Sequence, residues 1–278
     1  MKKVLGLVVS ERKLGNSELI LKEIMAGVPD PCVRELIRLT ELEIKPCRGC
    51  YRCLRNEAGC NIKDDFDFVI NKIKEADALI IGLPVYFLGP HASFKILIDR
   101  VMGLGHYAEK TRGKPCVVVM SFGIPGWEGY TRTAALSLPR FLQMKVVDCW
   151  QVNAALPGES MLTSSNKEYA RKIGLNLFTQ QEYEKGPYEC PHCGSDLFRL
   201  LPEGTIECPL CALKGSVGAG NIPLFPGTGR GRFSPEEIRK HFGLDGWLTG
   251  MKDKFQVEKA KLQETQKTYK EMDWWIKP

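Results

Sequence analysis

The sequence predicts an α/β fold: a doubly wound, five-stranded parallel sheet, followed by a small cysteine-rich module and a helical segment. Two observations lead to this prediction. Short apolar runs alternate five times with amphipathic stretches over the first 185 residues or so, which is typical of successive β–α units in a parallel sheet. From there to about residue 226 the chain is rich in Cys, Pro and Gly, and a helical pattern resumes after a glycine- and arginine-rich linker. We therefore expect three units, at residues 1–185, 186–226 and 227–278.

The individual elements follow from local pattern. The predicted strands are residues 3–9, 33–39, 79–83, 116–120 and 146–152, and the predicted helices are residues 17–26, 64–76, 92–101, 131–142 and 167–180. Arg34, Glu35 and Arg38 interrupt the second strand, which suits an edge position, because a central parallel strand is covered on both faces. In the last unit, Ser234 and Pro235 supply an N-cap and a first-turn proline for a further helix.

Composition and charge exclude several classes of protein. The chain has 278 residues, of which 44% are apolar and 26% are charged, with a net charge of +6. Such values rule out disordered, collagen-like and coiled-coil chains, and the mild charge gives no reason to expect nucleic acid as a partner. The longest uncharged run, residues 78–94, contains glycines and prolines and is too short for a membrane span. With no signal peptide at the N-terminus, we expect a cytoplasmic protein in which the eleven cysteines remain reduced.

The first predicted strand runs into a loop suited to an anion. Ser10, Arg12, Gly15, Asn16 and Ser17 lie between this strand and the first helix. Free N–H groups at a helix N-terminus attract phosphate, and an arginine adds a fork of donors. The loop contains neither a P-loop nor the dinucleotide Gly-x-Gly-x-x-Gly pattern. On this loop alone, a capped turn with nothing bound is an equal alternative.

The third and fourth predicted strands end in aromatic loops punctuated by Pro and Gly. The first of these loops contains Pro84, Val85, Tyr86, Phe87, Leu88 and Gly89, and the second contains Ser121, Phe122, Gly123 and Trp127. In a doubly wound sheet such loops meet at the switch point, where ligands bind. The three loops together suit a planar heterocycle that carries a phosphate, such as FMN, although each aromatic side chain taken singly could simply pack under its loop.

These residues also carry a family resemblance. The Ser10-x-Arg12-x-x-Gly15-Asn16-Ser17 loop, the Gly82-x-Pro84-x-Tyr86 segment and the Lys95-x-x-x-Asp99-Arg100 segment resemble the NADPH-dependent FMN reductase group of flavodoxin-like proteins, over roughly residues 1–180. The resemblance implies that Ser10, Arg12, Asn16 and Ser17 hold the FMN phosphate. It implies further that residues 84–89 lie along the isoalloxazine ring and that residues 121–127 close its other side. For Lys95, Asp99 and Arg100 we expect an ion pair on a helix surface or between subunits.

A first cysteine group lies between the second strand and the second helix. Cys47, Cys50, Cys53 and Cys60 are spaced as Cys-x2-Cys-x2-Cys-x6-Cys. Compact runs of this kind hold [4Fe-4S] clusters in bacterial ferredoxins, whereas zinc sites have a longer spacer between two pairs. The spacing therefore predicts an iron–sulfur cluster, with zinc or redox-active free thiols as the alternatives.

The cluster motif and the flavin loops together resemble the iron–sulfur flavoproteins. The segment from Asn61 to Phe66 also fits the continuation of that subfamily's motif. The resemblance implies a [4Fe-4S] cluster that exchanges electrons with FMN. It also implies a homodimer or homotetramer in which the cluster and the flavin of adjacent subunits approach each other.

A second cysteine group has the spacing of a zinc ribbon. Cys190 and Cys193 form one Cys-x2-Cys knuckle, and Cys208 and Cys211 form a second one after a fourteen-residue spacer. This spacing predicts a Zn2+ site, with rubredoxin-like iron as the alternative. Because the basic residues around it are scattered, we expect a structural or partner-docking role.

The remaining candidates carry no chemistry that we can assign. Cys32, Cys116 and Cys149 lie at or within predicted strands and read as small buried hydrophobic residues. The single histidines have no nucleophile or orienting partner in the sequence, so we name no catalytic side chain. We expect the apolar stripe of the C-terminal helical segment, ending in Trp274 and Trp275, to pack on the flavodoxin-like domain or on a neighbouring subunit.

The sequence thus predicts an oxidoreductase that moves electrons between FMN and a [4Fe-4S] cluster, with NAD(P)H or a redox protein as its partner. Two alternatives remain. One is an NAD(P)H-dependent FMN or quinone reductase without a cluster. The other is a redox-sensing or binding module built around the zinc ribbon.

Overall fold

The fold is taken from a computed structural model of the chain. It describes residues 1–54, 59–103, 108–179, 181–226, 231–243 and 246–270. Among the helices of these residues, none combines the length and the apolar character that crossing a bilayer requires.

The first part of the chain alternates strands and helices as the sequence predicts, to within a few residues at most ends. The elements are β1 (Lys2–Val8), α1 (Asn16–Ala26), β2 (Cys32–Arg38), α2 (Phe66–Glu75), β3 (Ala78–Tyr86), β4 (Gly89–Pro90), α3 (Ala92–Ile98), α4 (Ala108–Thr111), β5 (Pro115–Phe122), α5 (Thr131–Phe141), β6 (Lys145–Asn153) and α6 (Ser164–Asn176). The sequence pattern missed the two-residue strand β4 and the single-turn helix α4, which are too short to show a period.

The sheet order is β2-β1-β3-β5-β6, and all neighbours on this path are parallel. This is the flavodoxin-like order, in which the chain reverses direction between β1 and β3. β4 is an additional short strand that pairs antiparallel with the end of β3. The polar strand β2 lies at the edge, which confirms the expectation from Arg34, Glu35 and Arg38.

Both faces of the sheet are buried, because strand side chains alternate between two helical layers. On one face, Leu5 and Leu79 pack with Phe66 of α2, Phe94 of α3 and Leu136 of α5. The opposite face carries a second cluster, formed by residues of the same strands with α1 and α6, among them Val4, Ile80, Val119, Ile20, Ile24, Ala170 and Ile173. The doubly wound α/β prediction is confirmed.

Strand register brings the loops after the strands to one level of the sheet. Val8 pairs with Gly82 across β1 and β3, and Pro84 pairs with Ser121 across β3 and β5. Phe122 pairs with Asn153 across β5 and β6. The chain therefore leaves four neighbouring strands at the same edge, where the candidate site lies.

After α6, a four-stranded antiparallel sheet forms from β7 (Arg199–Leu200), β8 (Thr205–Glu207), β9 (Lys214–Val217) and β10 (Pro223–Leu224). Its first cysteine knuckle lies against α5. Arg132 Nε donates to the Gly194 carbonyl and Arg140 Nε to the Cys193 carbonyl, each at 3.0 Å. Arg132 also pairs with Glu189 at 2.6 Å. The cysteine-rich module is thus fixed to the parallel-sheet domain by charged hydrogen bonds.

The C-terminal segment contains α7 (Pro235–Phe242) and α8 (Trp247–Lys270). Ser234 caps α7 by accepting a hydrogen bond from the Glu237 amide at 3.2 Å, as the sequence predicts. In α8, every side chain whose burial is described, from residue 250 onward, is exposed, including Met251 and Phe255. The expected packing of this apolar stripe on the flavodoxin-like domain is therefore not present at these residues, and Trp274 and Trp275 lie outside the described residues.

Candidate flavin and metal sites

The loop after β1 presents the N-terminus of α1 to a cleft. Gly15 is the N-cap and offers no side chain to the first turn, so the first amides of α1 have no intrahelical acceptor. Ser10 and Ser17 are both buried. The loop reaches this shape through a left-handed turn at Leu14, where φ is 54°. A ring of amide and hydroxyl donors of this kind suits a phosphate.

An ion pair between Glu18 and Arg38 fixes the backbone of this loop. Glu18 pairs with Arg38 at 2.5 Å and with Lys22 at 2.6 Å, and it accepts a hydrogen bond from the Leu14 amide at 2.7 Å. Arg38 in turn donates to the Ser10 carbonyl at 2.8 Å. Burial would raise the pKa of Glu18, but the hydrogen bonds from Lys22, Arg38 and Leu14 outweigh it and lower the pKa to about 2. The loop is therefore supported by a network that is charged at neutral pH.

The loops after β1, β3, β5 and β6 enclose an open cleft of about 650 Å³. Ten of the fourteen predicted flavin-site residues line it: Ser10, Arg12, Asn16, Ser17, Pro84, Val85, Tyr86, Ser121, Phe122 and Gly123. The hydroxyls of Ser17 and Ser121 hydrogen bond with each other at 3.2 Å and join the phosphate loop to the loop after β5. The cleft combines anion-binding donors at one end with aromatic side chains at the other.

The other four predicted residues do not line the cleft. Phe87 and Leu88 form the tip of the hairpin between β3 and β4, where both have positive φ, and the Phe87 side chain is 87% exposed. Gly89 lies under the Tyr130 ring, which leaves no room for a side chain. Trp127 is 53% exposed beyond the cleft. The hairpin turn at Phe87 and Leu88 directs these two residues away from the cleft, whereas Trp127 lies in the loop after β5.

The loop after β6 is a part of the cleft that the sequence analysis missed. Ala154, Ala155 and Pro157 line it together with Gly15. The signal was the run of small residues and proline after the fifth predicted strand, which resembles the ends of the other strands.

Two predicted phosphate-loop side chains hold the loop after β6 in place. Asn16 Nδ2 donates to the Ala154 carbonyl at 3.0 Å, and Asn16 Oδ1 accepts from the Ser160 amide at 3.1 Å. Arg12 Nη1 donates to the Ala155 carbonyl at 3.3 Å. The Asn16 amide is thus occupied by the protein, whereas the remaining Arg12 donors face the cleft edge.

The four thiols of the first group surround one small cavity. Cys47, Cys50, Cys53 and Cys60 line a space of about 350 Å³ together with Arg100. All four are free cysteines, two of them exposed and two half-buried. Burial raises the pKa of Cys53, and the charges of the other three thiols raise it further, as expected when the sulfurs lie near one another. The amide of Gly49 donates to Cys47 Sγ at 3.4 Å.

A buried ion pair closes the inner end of this cavity. Arg100 and Asp64 form a salt bridge in which both side chains are fully buried. Asp64 also accepts a hydrogen bond from the Lys45 amide at 2.8 Å. Burial alone would lower the pKa of Arg100, but its interactions with Asp64 and Cys60 raise it. Of the predicted ion pairs, Lys95 and Asp99 meet on the exposed face of α3, whereas Arg100 turns inward.

The second cysteine group forms a compact tetrad. Cys190, Cys193, Cys208 and Cys211 are fully buried, and their sulfurs all lie within 4.8 Å of one another. The closest pairs are separated by 3.5 Å and 3.4 Å, near the edge of about 3.8 Å expected for tetrahedral Zn–S bonds of about 2.3 Å. The tetrad therefore suits one tetrahedral ion.

The two knuckles of the tetrad have the same backbone geometry. The amide of Gly194 donates to the Cys190 carbonyl and that of Ala212 to the Cys208 carbonyl, both at 2.8 Å. Gly194 and Ala212 both lie in the left-handed region, with φ of 80° and 62°. Ala212 thus adopts the conformation for which glycine is preferred, and the lack of a glycine there does not change the knuckle.

Comparison with known proteins agrees with the fold and the cleft. The profile of the NADPH-dependent FMN reductase family matches residues 2–156, more than half of the chain. The chain therefore belongs to the NADPH-dependent FMN reductase family.

Curated relatives include several iron–sulfur flavoproteins. One from Methanocaldococcus jannaschii is 41% identical over 99 residues, which is 35% of this chain and 51% of the relative. Another from Archaeoglobus fulgidus is 39% identical over 106 residues, or 37% of this chain and 50% of the relative. The chain thus matches about half the length of these relatives. The predicted resemblance to both the FMN reductases and the iron–sulfur flavoproteins is confirmed.

Two similarities extend further along the chain. A flavone synthase of Aspergillus candidus is 26% identical over 253 residues, covering 74% of this chain and 76% of the relative. The solved structure of a flavone reductase superposes with a TM-score of 0.72 at 23% identity and covers 99% of both chains. The latter shows that the fold is shared over the whole chain.

Proposed function

We propose that this protein moves electrons between FMN in the cleft and a [4Fe-4S] cluster held by Cys47, Cys50, Cys53 and Cys60. We propose further that the second cysteine tetrad holds Zn2+. The observation that carries the first proposal is that four thiols spaced over fourteen residues of sequence surround one cavity. The resemblance to iron–sulfur flavoproteins supports it.

The two cysteine groups differ in a way that favours two different metals. Among the described residues, only the second group brings three or more ligand atoms within 4.8 Å of one another. The thiols of the first group are more widely spaced, as a cubane cluster requires because it is larger than a single ion. The first group is also partly exposed, which suits electron exchange, whereas full burial suits a structural ion.

In the cleft, the chain would bind and orient the flavin. The first-turn amides of α1, with Ser10, Ser17 and Arg12, would hold the phosphate. The backbone from Pro84 to Tyr86 and from Ser121 to Gly123 would line the two sides of the ring system. FMN exchanges electrons either as a hydride or singly, and a cubane cluster exchanges them singly. No side chain need act as an acid, a base or a nucleophile.

Helix α3 connects the two sites. It begins just after the β3–β4 hairpin at the cleft, and the residues after its C-terminus, Asp99 and Arg100, line the thiol cavity. Seven helical residues span about 10 Å. This short connection supports electron exchange between the sites. The exposed Phe87, Trp127 and Tyr130 beside the cleft support the proposal that a second subunit, in a homodimer or homotetramer, covers them.

Anaerobic purification with quantification of metals, sulfide and flavin tests this function. About four iron, four sulfide, one zinc and one FMN are expected per chain. Cys53→Ser should remove iron and leave zinc, and Cys208→Ser should do the reverse. Each variant serves as the control for the other. A chain that binds FMN and zinc but no iron after anaerobic reconstitution would overturn the cluster and leave an NAD(P)H-dependent FMN or quinone reductase.

As a second candidate function, we propose the reduction of a planar aromatic ketone of the flavone kind. The similarity to a flavone synthase over 74% of the chain supports a substrate of the flavone class, as do the aromatic side chains Tyr86 and Phe122 in the cleft. Anaerobic mixing of the reduced FMN form of the protein with a flavone would test this substrate. Oxidation of the flavin is monitored by the return of the oxidised-flavin absorbance. No reaction with a flavone alongside rapid reaction with a quinone would contradict it.

A further inference from the structure

Arg100 is a charged side chain in a fully buried position. Its guanidinium stacks over the Phe66 ring at 4.3 Å, and its side chain has no exposed surface. Nη1 donates to the Asp64 carboxylate and, at 3.2 Å, to the Lys45 carbonyl. The guanidinium also interacts with the Cys60 thiol. A buried guanidinium of this kind is costly unless all of its donors are used.

The other two nitrogens of Arg100 are not used. Within the described ranges, Nε and Nη2 are both buried and have no hydrogen-bond partner. Unpaired buried donors are rare in folded proteins, and each one needs an explanation. Asp64 Oδ2 accepts from Arg100 Nη1 and from the Lys45 amide, and Asp64 Oδ1 accepts from the Phe66 amide, so neither oxygen is paired with Nε or Nη2.

Arg100 lines the same cavity as the four thiols and interacts with the Cys60 thiol. Thiolates that ligate a cluster there would place negative charge beside it, and hydrogen bonds to sulfur and nearby charge tune an iron–sulfur cluster. Arg48 also lines the cavity, but it is exposed, so water screens its charge. Arg100 is buried at the cavity and has two donors without a partner among the described residues.

We propose that Arg100 is the buried cationic support of the cluster site, and that its Nε and Nη2 donate hydrogen bonds to cluster sulfur. Asp64 positions it. The same ion pair ties together the two ends of the cysteine loop, since it binds Lys45, two residues before Cys47, and Asp64 itself lies four residues after Cys60. Arg100 thus holds the two ends of the cysteine loop together and offsets the negative charge of a cluster bound by its thiolates.

This inference rests on the proposed cluster function, and its test separates the two. The variants are Arg100→Lys, which keeps the charge without the planar fork, and Arg100→Gln combined with Asp64→Asn, which removes both buried charges at once. Lys95→Gln is the matched control, since Lys95 makes an exposed ion pair on the preceding helix. Iron, sulfide, zinc and FMN per chain are measured after anaerobic reconstitution, and the cluster potential is measured by EPR-monitored titration.

We expect the double variant to retain less than a third of the wild-type iron, with zinc and FMN unchanged. Any cluster that remains should have a more negative reduction potential, because Arg100 lines the cavity and Asp64 does not, so the added electron loses the nearer charge and its hydrogen bonds. Arg100→Lys should retain more iron than the double variant, and Lys95→Gln should behave as wild type.

Three results would overturn the proposal. Full iron content with an unchanged reduction potential in both Arg100 variants would overturn the proposed role of Arg100 and leave the cluster function intact. Parallel loss of iron, zinc and FMN in both variants would assign Arg100 to folding instead. Absence of iron from the wild-type chain would overturn the cluster function, and the inference with it.

Discussion

Glu18 illustrates at the scale of one residue how the phosphate loop depends on charge. Its pKa of about 2 lies below the ordinary value of 4.5, so folding favours the ionised form. The contribution to stability is complete above about pH 4.5 and is lost as the pH falls from there toward 2. The fall of the pKa from 4.5 to about 2 corresponds to at most about 3.5 kcal/mol at about 1.4 kcal/mol per pKa unit, and solvent screening reduces the part that appears as stability.

Glu18→Gln should therefore lower the free energy of unfolding at pH 7 by about 2–3 kcal/mol and weaken FMN binding. The glutamine oxygen can still accept a hydrogen bond, but Arg38 and Lys22 lose their anionic partner. Chemical denaturation at pH 7 and pH 3.5 measures this difference, which should shrink at the lower pH. Glu23→Gln is the control, since Glu23 lies on the same helix but pairs with the exposed Arg171. An equal loss of unfolding free energy at both pH values would show that the charge of Glu18 does not stabilise the loop.

At the scale of elements, the packing of β3 against α1 sets the position of the phosphate loop. Gly82 lies on β3 beneath the first turns of α1. A Cβ atom there would lie 2.5 Å from Leu21 Cδ1 and 3.0 Å from the Ser17 carbonyl oxygen. The helix N-terminus can approach the strand end this closely only because Gly82 has no side chain.

Gly82→Ala should push α1 away from β3 and weaken FMN binding by about tenfold, with a loss of stability of about 1–3 kcal/mol from overpacking. Fluorescence titration of the apoprotein with FMN measures the affinity. Gly250→Ala is the control, because nothing lies within 4 Å of a Cβ atom at Gly250. Unchanged FMN affinity in Gly82→Ala would show that the phosphate loop does not depend on this contact.

At the scale of the whole molecule, the cysteine tetrad and the flavin cleft share helix α5. The first knuckle accepts hydrogen bonds from Arg132 and Arg140 of α5, and the loop before α5 lines the cleft. Loss of the Zn2+ proposed for this tetrad should release the knuckle and leave two buried guanidinium groups with fewer partners.

Cys208→Ser should therefore destabilise the parallel-sheet domain as well as the ribbon, by about 2–3 kcal/mol or about 5–10 °C in Tm. Thermal denaturation monitored by flavin fluorescence measures the temperature at which the cleft unfolds and releases the flavin. Cys32→Ser is the control, because Cys32 belongs to neither cysteine group. If flavin release from Cys208→Ser occurs at the same temperature as from the wild type, the ribbon and the parallel-sheet domain unfold independently.

The pattern of the sequence was sufficient for the parallel sheet and most of the cleft. Strand periods and apolar runs depend on local chemistry, so the five strands and their neighbouring helices could be placed from sequence. Because parallel strands end at one edge, Ser10, Tyr86 and Ser121 could be expected to meet. The loop at Ala154 could have been added by the same argument, since it follows the fifth strand.

Other features depend on contacts between distant parts of the chain. The turn at Phe87 and Leu88 directs these residues out of the cleft, although their sequence neighbours line it. The ribbon docks on α5 through Arg132 and Arg140, whose partners lie more than fifty residues away. No local pattern encodes such pairings.

The eleven cysteines also show which features depend on local sequence and which depend on contacts between distant residues. Their spacing alone separated two groups of four from Cys32, Cys116 and Cys149, because ligand spacing is a local property of the chain. Burial raises the pKa of the Cys116 and Cys149 thiols. Of the three cysteines expected to be buried, only Cys116 is, whereas Cys32 and Cys149 are partly exposed. Only the tertiary structure decided that Arg100 turns from α3 into the cavity of the first group, since its orientation depends on Asp64 and Phe66, which come from elsewhere in the chain.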